Sequence, residues 1–125
     1  MTSIQKDIVA IIDDDPGIRK AAARVLSAFG YVTYTFHSAE AFLRVAATSK
    51  AGCLVIDIQL GDVSGMELAR ELADAGFKFP VIFMTAVDDE NIRSQAHKLG
   101  CVAYLRKPFG ADLLIEAIVK AIGDP

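Results

Sequence analysis

Residues 11–17 read IIDDDPG, and the fold follows from how that stretch is parsed. A run of branched apolar residues, the signature of a buried strand, ends in three consecutive carboxylates. Like charges about 5 Å apart at an effective dielectric of about 20 repel by on the order of 3 kcal/mol per pair, so the cluster requires a cation or water. Asp15 followed by Pro16 supplies an N-cap and a proline at the first helical position. The stretch is therefore a strand, an acidic corner and a helix start in succession.

The same grammar repeats outward along the chain. Short apolar β-rich runs occur at 7–13 (DIVAIID), 31–36 (YVTYTF), 53–57 (CLVID), 80–85 (PVIFMT) and 102–105 (VAYL), with longer segments of helical period between them. Most runs are apolar throughout instead of alternating, as strands covered on both faces are. The second, carrying Thr33 and Thr35, reads as an edge. In the first helix Ile18, Ala22, Val25, Leu26 and Phe29 fall on one face, and Gly30 ends it. Ser64 with Glu67 forms a capping box ahead of Met66, Leu68 and Leu72, with Gly76 as the stop. Asp88 is read as the cap of the fourth helix, whose stripe is Ile92, Ala96 and Leu99 before Gly100. Leu114, Ala117, Ile118, Ala121 and Ile122 form the inner face of the fifth. Five βα units predict an α/β fold: a doubly wound five-stranded parallel sheet with helices on both faces, for which two strand orders are plausible at this length and 2-1-3-4-5 is favoured.

Size and composition agree with one domain spanning 1–125. A chain of 125 residues buries roughly two thirds of its unfolded surface. Hydrophobic residues make up 53% and charged residues 23%, which leaves no disordered segment to set aside. The net charge is −3 and the basic residues are scattered, so direct nucleic-acid binding by this domain is not expected. The start, MTSIQKDIVAII, has too short an apolar run for a secretory signal, and no stretch of about 18 apolar residues offers a membrane span; the reading is cytoplasmic, with no membrane partner. Cys53 and Cys101 form no C-x-x-C pair and read as small buried hydrophobes without a disulfide. His37 and His97 lack ligand-spaced neighbours and read as surface or helix-end residues.

In a doubly wound sheet, ligands bind beyond the carboxyl ends of the strands where the order reverses, here between strands one and three. Asp13 and Asp14 leave strand one there, beside Asp57, which ends strand three. Strand four ends in Thr85, and strand five is followed by Lys107. Three carboxylates, a hydroxyl and an ammonium on one rim suit phosphoryl chemistry on a carboxylate. Asp14 and Asp57, with Asp13 through water and a loop carbonyl after Asp57, are candidates to hold Mg²⁺, a hard cation that takes oxygen ligands. Asp57 then reads as the nucleophile, with Thr85 donating to one phosphoryl oxygen and Lys107 pairing with another.

Through IIDDDPGIR, LVIDIQLGDVSG, VIFMTA and AYLRKPF, in that order and spacing, the chain resembles the receiver domains of two-component response regulators over essentially its whole length. The resemblance implies the flavodoxin-like strand order and a signalling switch, not a metabolic enzyme. It implies Asp57 as phosphoacceptor; Asp13 and Asp14 as the acidic pair, with Asp15 left as helix cap; Thr85 and Tyr104 as switch residues; and Lys107 at the phosphoryl group. It further implies Mg²⁺ on Asp13, Asp14, Asp57 and the backbone carbonyl of Gln59. The implied partners are a sensor histidine kinase or phosphotransfer protein, and an output domain or target on the face of strand five and helices four and five.

Two departures stand out. Gly61-Asp62 occupies the place where the family usually has proline, a more mobile turn with one more negative charge. Gln59 and Val87 stand two residues beyond Asp57 and Thr85, where the family tunes hydrolysis; Val87 offers nothing to orient an attacking water, so slow loss of the phosphoryl group is expected. Two other readings stay open. One is a receiver-like interaction module that works without phosphorylation. The other is a haloacid-dehalogenase-type phosphatase using Asp13-x-Asp15, which would leave Asp57 without a role. The chain stops at IGDP, either the end of a stand-alone regulator or a cut before an output domain, and both a monomer and a phosphorylation-driven homodimer are compatible with it.

Overall fold

The computed structural model describes residues 7–61, 63–87 and 89–125. In chain order the main elements are β1 (Ile8–Ile12), α1 (Pro16–Ala28), β2 (Val32–Phe36), α2 (Ala39–Leu43), β3 (Cys53–Asp57), α3 (Gly65–Asp74), β4 (Val81–Thr85), α4 (Glu90–Lys98), β5 (Ala103–Arg106) and α5 (Ala111–Ile122). A 3₁₀ turn, Ala46–Thr48, follows α2, and Gln59–Leu60 pairs antiparallel with Val63–Ser64 between β3 and α3. The five strands lie parallel in the order 2-1-3-4-5, the favoured one of the two plausible orders and the one the family resemblance implies.

Side chains alternate across the pleat, so each inner strand feeds two cores. Ala10, Ile12, Leu54, Ile56 and Phe83 point to one face and pack with Phe42, Leu68, Leu72 and Ala96. Val9, Ile11, Val55, Ile82 and Met84 point to the other, against Ala22, Leu26, Leu114 and Ile118. Every residue of β1 and β3 is buried. Double coverage explains the unbroken apolar runs in the sequence. The mixed run 32–36 is the exposed edge, with Val32 and Tyr34 open to solvent. No helix among the described residues is long and apolar enough to cross a membrane.

The helix starts are local chemistry. Asp15 accepts from the Gly17 N–H and caps α1 ahead of Pro16. At α3 the capping box is complete: Ser64 Oγ accepts from Met66 and Glu67, and Glu67 reaches back to the Ser64 N–H. Two expectations need correction. The cap of α4 is Asp89, whose carboxylate accepts from Asn91 and Ile92; Asp88 lies outside the described residues. Phe29 does not join the inner face of α1 but is 53% exposed, because it is the C-cap, where the backbone leaves helical geometry before Gly30 turns the chain at φ +93°. Cys53 and Cys101 are both free, and burial pushes both thiols up.

Gly65 shows how α3 is seated against β3. A Cβ on residue 65 would lie 2.3 Å from the Asp57 carbonyl oxygen and 2.7 Å from Ile56 Cγ2, and a backbone oxygen cannot step aside as a flexible side chain can. Gly65→Ala is expected to destabilise the fold by about 1–3 kcal/mol, seen as a lower urea midpoint at unchanged slope. An unaltered midpoint would mean that the start of α3 moves freely off β3.

Candidate functional site

The strand termini deliver their polar residues to one rim. Asp13 follows β1 and is fully buried, while Asp14, the next residue, is exposed. One reason is local: Asp13 Oδ1 accepts from the Asp15 N–H at 2.9 Å, a turn that folds its carboxylate inward. Asp57, the last residue of β3, is 5% exposed and Thr85, the last of β4, is 0% exposed. Lys107, one residue past β5, hangs from β4 by its N–H to the Thr85 carbonyl at 2.7 Å.

Lys107 draws the rim together. Its Nζ donates to Asp13 Oδ2 at 2.8 Å and to Asp57 Oδ2 at 3.0 Å, and all three side chains are largely withdrawn from water. The other Asp57 oxygen accepts from the Gln59 N–H at 2.9 Å. Carboxylate oxygens of Asp13, Asp14 and Asp57 lie within 4.8 Å of one another. Part of the repulsion posed by the triple aspartate is therefore relieved from within the chain. The rest is not: three carboxylates against one ammonium leave two negative charges. A set of oxygen donors with that surplus fits a hard divalent cation that keeps several waters.

The titration behaviour has the same cause. Burial pushes the Asp57 carboxyl up, the Asp13 charge adds to this, and the hydrogen bonds from Lys107 and Gln59 do not cancel it. Burial pulls Lys107 down, but its bonds to Asp13 and Asp57 more than offset that, so the ammonium is reinforced. An isolated ion pair would move its acid downward. Asp57 moves the other way because burial outweighs its bonds to Lys107 and Gln59, with the neighbouring Asp13 charge adding to the push.

The hydrogen bonds of the Thr85 hydroxyl run to groups other than the carboxylates. Its hydroxyl donates to Gln59 Oε1 at 3.0 Å and accepts from the Val87 N–H at 3.0 Å. Tyr104 pairs in register with Phe83 and packs into the core on the α3 and α4 side, with the Arg93 guanidinium 5.5 Å above its ring. By the alternation of β4, Thr85 belongs to that same side of the sheet. Asp13, Asp14, Asp57 and Lys107 thus form one cluster, and Thr85 with Gln59 a hydrogen-bonded pair at its border. His37 and His97 are exposed and lie outside the acidic cluster.

Three contributors escape a reading of the sequence. Arg19 Nη1 donates to the Asp13 carbonyl at 2.7 Å, bracing the acidic corner from α1; its place one turn into the capped helix was the available clue. Gly65 permits the approach of α3 to Asp57, with only the adjoining capping box to hint at it. The Gln59 side chain bonds Thr85 across a separation of 26 residues, for which the sequence carries no local signal.

The raised Asp57 carboxyl makes a stability prediction. A group whose folded value lies above its unfolded value supports folding most when protonated, below the ordinary carboxylate value, and that support is lost as pH rises through the folded value. Without divalent cations, Asp57→Asn should therefore be more stable than the parent at neutral pH, and the gap should close as pH falls through that window. Chemical denaturation at a series of pH values checks this; a variant less stable than the parent at neutral pH would contradict it.

The family model for the response regulator receiver domain matches residues 9–119. The transcriptional regulatory protein FixJ of Rhizobium meliloti (strain 1021) is 39% identical over 113 residues, covering 90% of this chain and 55% of that protein. The response regulator protein TodT of Pseudomonas putida is 31% identical over 120 residues, covering 96% and 53%. Among solved structures, that of FixJ-N superposes with a TM-score of 0.84 at 35% identity, covering 97% of this chain and 94% of that one. Full-length FixJ from B. japonicum gives 0.86 at 33%, covering 92% and 57%. The chain spans about half the length of the curated relatives it matches. It belongs to the response regulator receiver domain family.

Proposed function

We propose that this receiver domain accepts a phosphoryl group on Asp57 from the phosphohistidine of a sensor histidine kinase or phosphotransfer protein, and that the modification switches the surface formed by β5, α4 and α5. The observation that carries this reading is the contact of Asp57 Oδ2 with Lys107 Nζ at 3.0 Å inside the acidic cluster. In the transfer, a carboxylate oxygen of Asp57 attacks phosphorus, the P–N bond breaks, and its electron pair leaves with the imidazole. Lys107 is already charged and aimed at the reacting carboxylate, so it meets the phosphoryl oxygens without reorganisation. Asp13, Asp14 and Asp57, with the backbone carbonyl of Gln59, would hold Mg²⁺, which when bound supplies positive charge against the phosphoryl oxygens.

An acyl phosphate on Asp57 adds roughly 1.5 to 2 negative charges and three acceptor oxygens. Thr85 ends the strand beside Asp57 and carries a buried hydroxyl, and turning it toward the phosphoryl group would vacate space on the side of the sheet where Tyr104 packs. That movement would carry the charge at residue 57 to the face of β5, α4 and α5, where an output domain, a target protein or a second phosphorylated copy would bind. The phosphatase reading is the weaker one, because it leaves Asp57 without a role and Asp15 Oδ1 is engaged in capping α1. A module independent of phosphorylation is the weaker reading, because it gives no role to the meeting of Asp57, Lys107 and the acidic set.

Incubation with acetyl phosphate and Mg²⁺, read by intact mass, is expected to add one phosphoryl group to the parent and none to Asp57→Asn or to protein treated with a chelator. Lys107→Ala should slow the gain on the order of 10²-fold, the usual cost of a donor at the developing charge. Parent protein inert to the donor would defeat the proposal. With the exposed apolar Val87 beside Thr85, the phosphorylated form should persist for minutes or longer; loss within seconds in purified protein with Mg²⁺ would refute that expectation.

A further inference from the structure

We infer that the side chain of Gln59 is a positioning residue: it holds the Thr85 hydroxyl in its resting direction and must release it before Thr85 can serve a phosphoryl group on Asp57. The inference rests on the phosphoacceptor reading and assigns Gln59 a part that the backbone carbonyl does not play. A threonine hydroxyl has one proton to give. In this structure that proton has acceptors in Gln59 Oε1 at 3.0 Å and, at longer range, the Val87 carbonyl at 3.4 Å, while the Val87 N–H takes up a lone pair at 3.0 Å. As long as the proton is engaged there, it is not available to a phosphoryl oxygen.

Gln59 is built for this hold. The residue is exposed, so burial does not dictate where its side chain goes, yet Oε1 turns back to a hydroxyl that is 0% exposed. Its own N–H is bonded to Asp57 Oδ1 at 2.9 Å, and the paired segment Gln59–Leu60 with Val63–Ser64 fixes the backbone on which it rides. One residue thus grips the acceptor carboxylate through its main chain and the hydroxyl through its side chain. Modification of Asp57 puts charged oxygens within competition for the same proton. A charged acceptor forms a bond about twice as strong as an amide carbonyl does, so Thr85 exchanges partners. The amide bond given up is subtracted from the gain, and Gln59 thereby biases the unmodified domain toward its resting arrangement.

Removing the acceptor should remove the subtraction. The experiment measures the affinity of Mg²⁺-beryllofluoride, a tetrahedral phosphoryl mimic, for the parent, Gln59→Met, Thr85→Ala and the double variant. Gln59→Met keeps length and the backbone carbonyl but lacks Oε1, and its thermal melt checks that the fold is retained. Gln59→Met is expected to bind the mimic about 2- to 10-fold more tightly than the parent, the worth of one ordinary hydrogen bond. In the Thr85→Ala background the same substitution should change nothing, a cancellation that a merely structural role for Gln59 would not produce. Equal or weaker binding by Gln59→Met, or equal tightening with and without Thr85, would overturn the inference and leave the phosphoacceptor reading standing. Failure of the parent itself to bind the mimic would instead bring down the phosphoacceptor reading, and this inference with it.

Discussion

A single ammonium holds the functional end of this molecule together. Lys107 reaches from the end of β5 past β4 to Asp57 and on to Asp13, which are 50 and 94 residues away in sequence. Buried carboxylates are tolerated only when charge and hydrogen bonds compensate them. Here the compensation is shared, one cation between two buried anions, with main-chain N–H groups from Asp15 and Gln59 taking up the remaining oxygens. The ends of β1, β3 and β5 are thereby tied at one point. The apolar layers on the two faces of the sheet supply the stability that allows such a site to be kept short of positive charge.

That shortage links structure to chemistry. A fully neutralised rim would be a structural salt-bridge network with no appetite for a ligand. With two negative charges outstanding and Asp14 still open to solvent, the site has the donor set for a divalent cation, which under the proposed function would prepare it for phosphoryl oxygens. Burial pushes Asp57 up, with the Asp13 charge adding to it, while the two carboxylates reinforce the Lys107 ammonium. Rigidity around Asp57 comes from close backbone packing: Gly65 brings α3 against the Asp57 carbonyl, and the Ser64–Glu67 capping box starts that helix in the same place.

The border between site and surface is drawn by Thr85. It lies at the end of a buried strand, and its side of the sheet leads through Phe83 and Tyr104 to α4 and the Arg93 guanidinium. Its hydroxyl is held by Gln59 and Val87, residues two beyond Asp57 and two beyond Thr85 itself. Gln59 and Val87, which the sequence marks as a departure alongside the Gly61-Asp62 turn, are thus the residues that contact the Thr85 hydroxyl.

Much of this was written in the order of residues. Five apolar runs separated by helical periods determined a parallel sheet covered on both faces, because strands buried on two sides leave no alternate position for polar residues. Asp15-Pro16 and Ser64-x-x-Glu67 determined two helix starts, since caps act within one turn. The convergence of Asp13, Asp14, Asp57, Thr85 and Lys107 on one rim was legible once the strand order was accepted. Only the tertiary structure decided that Asp13 turns inward while Asp14 stays in water, that Asp89 caps α4, that Phe29 lies outside, and that Gln59 bonds Thr85. These depend on exact helix boundaries and on distances between chain segments remote in sequence. Periodicity and propensity act over a few residues, whereas a hydrogen bond across a folded sheet is set by the packing of all the strands between.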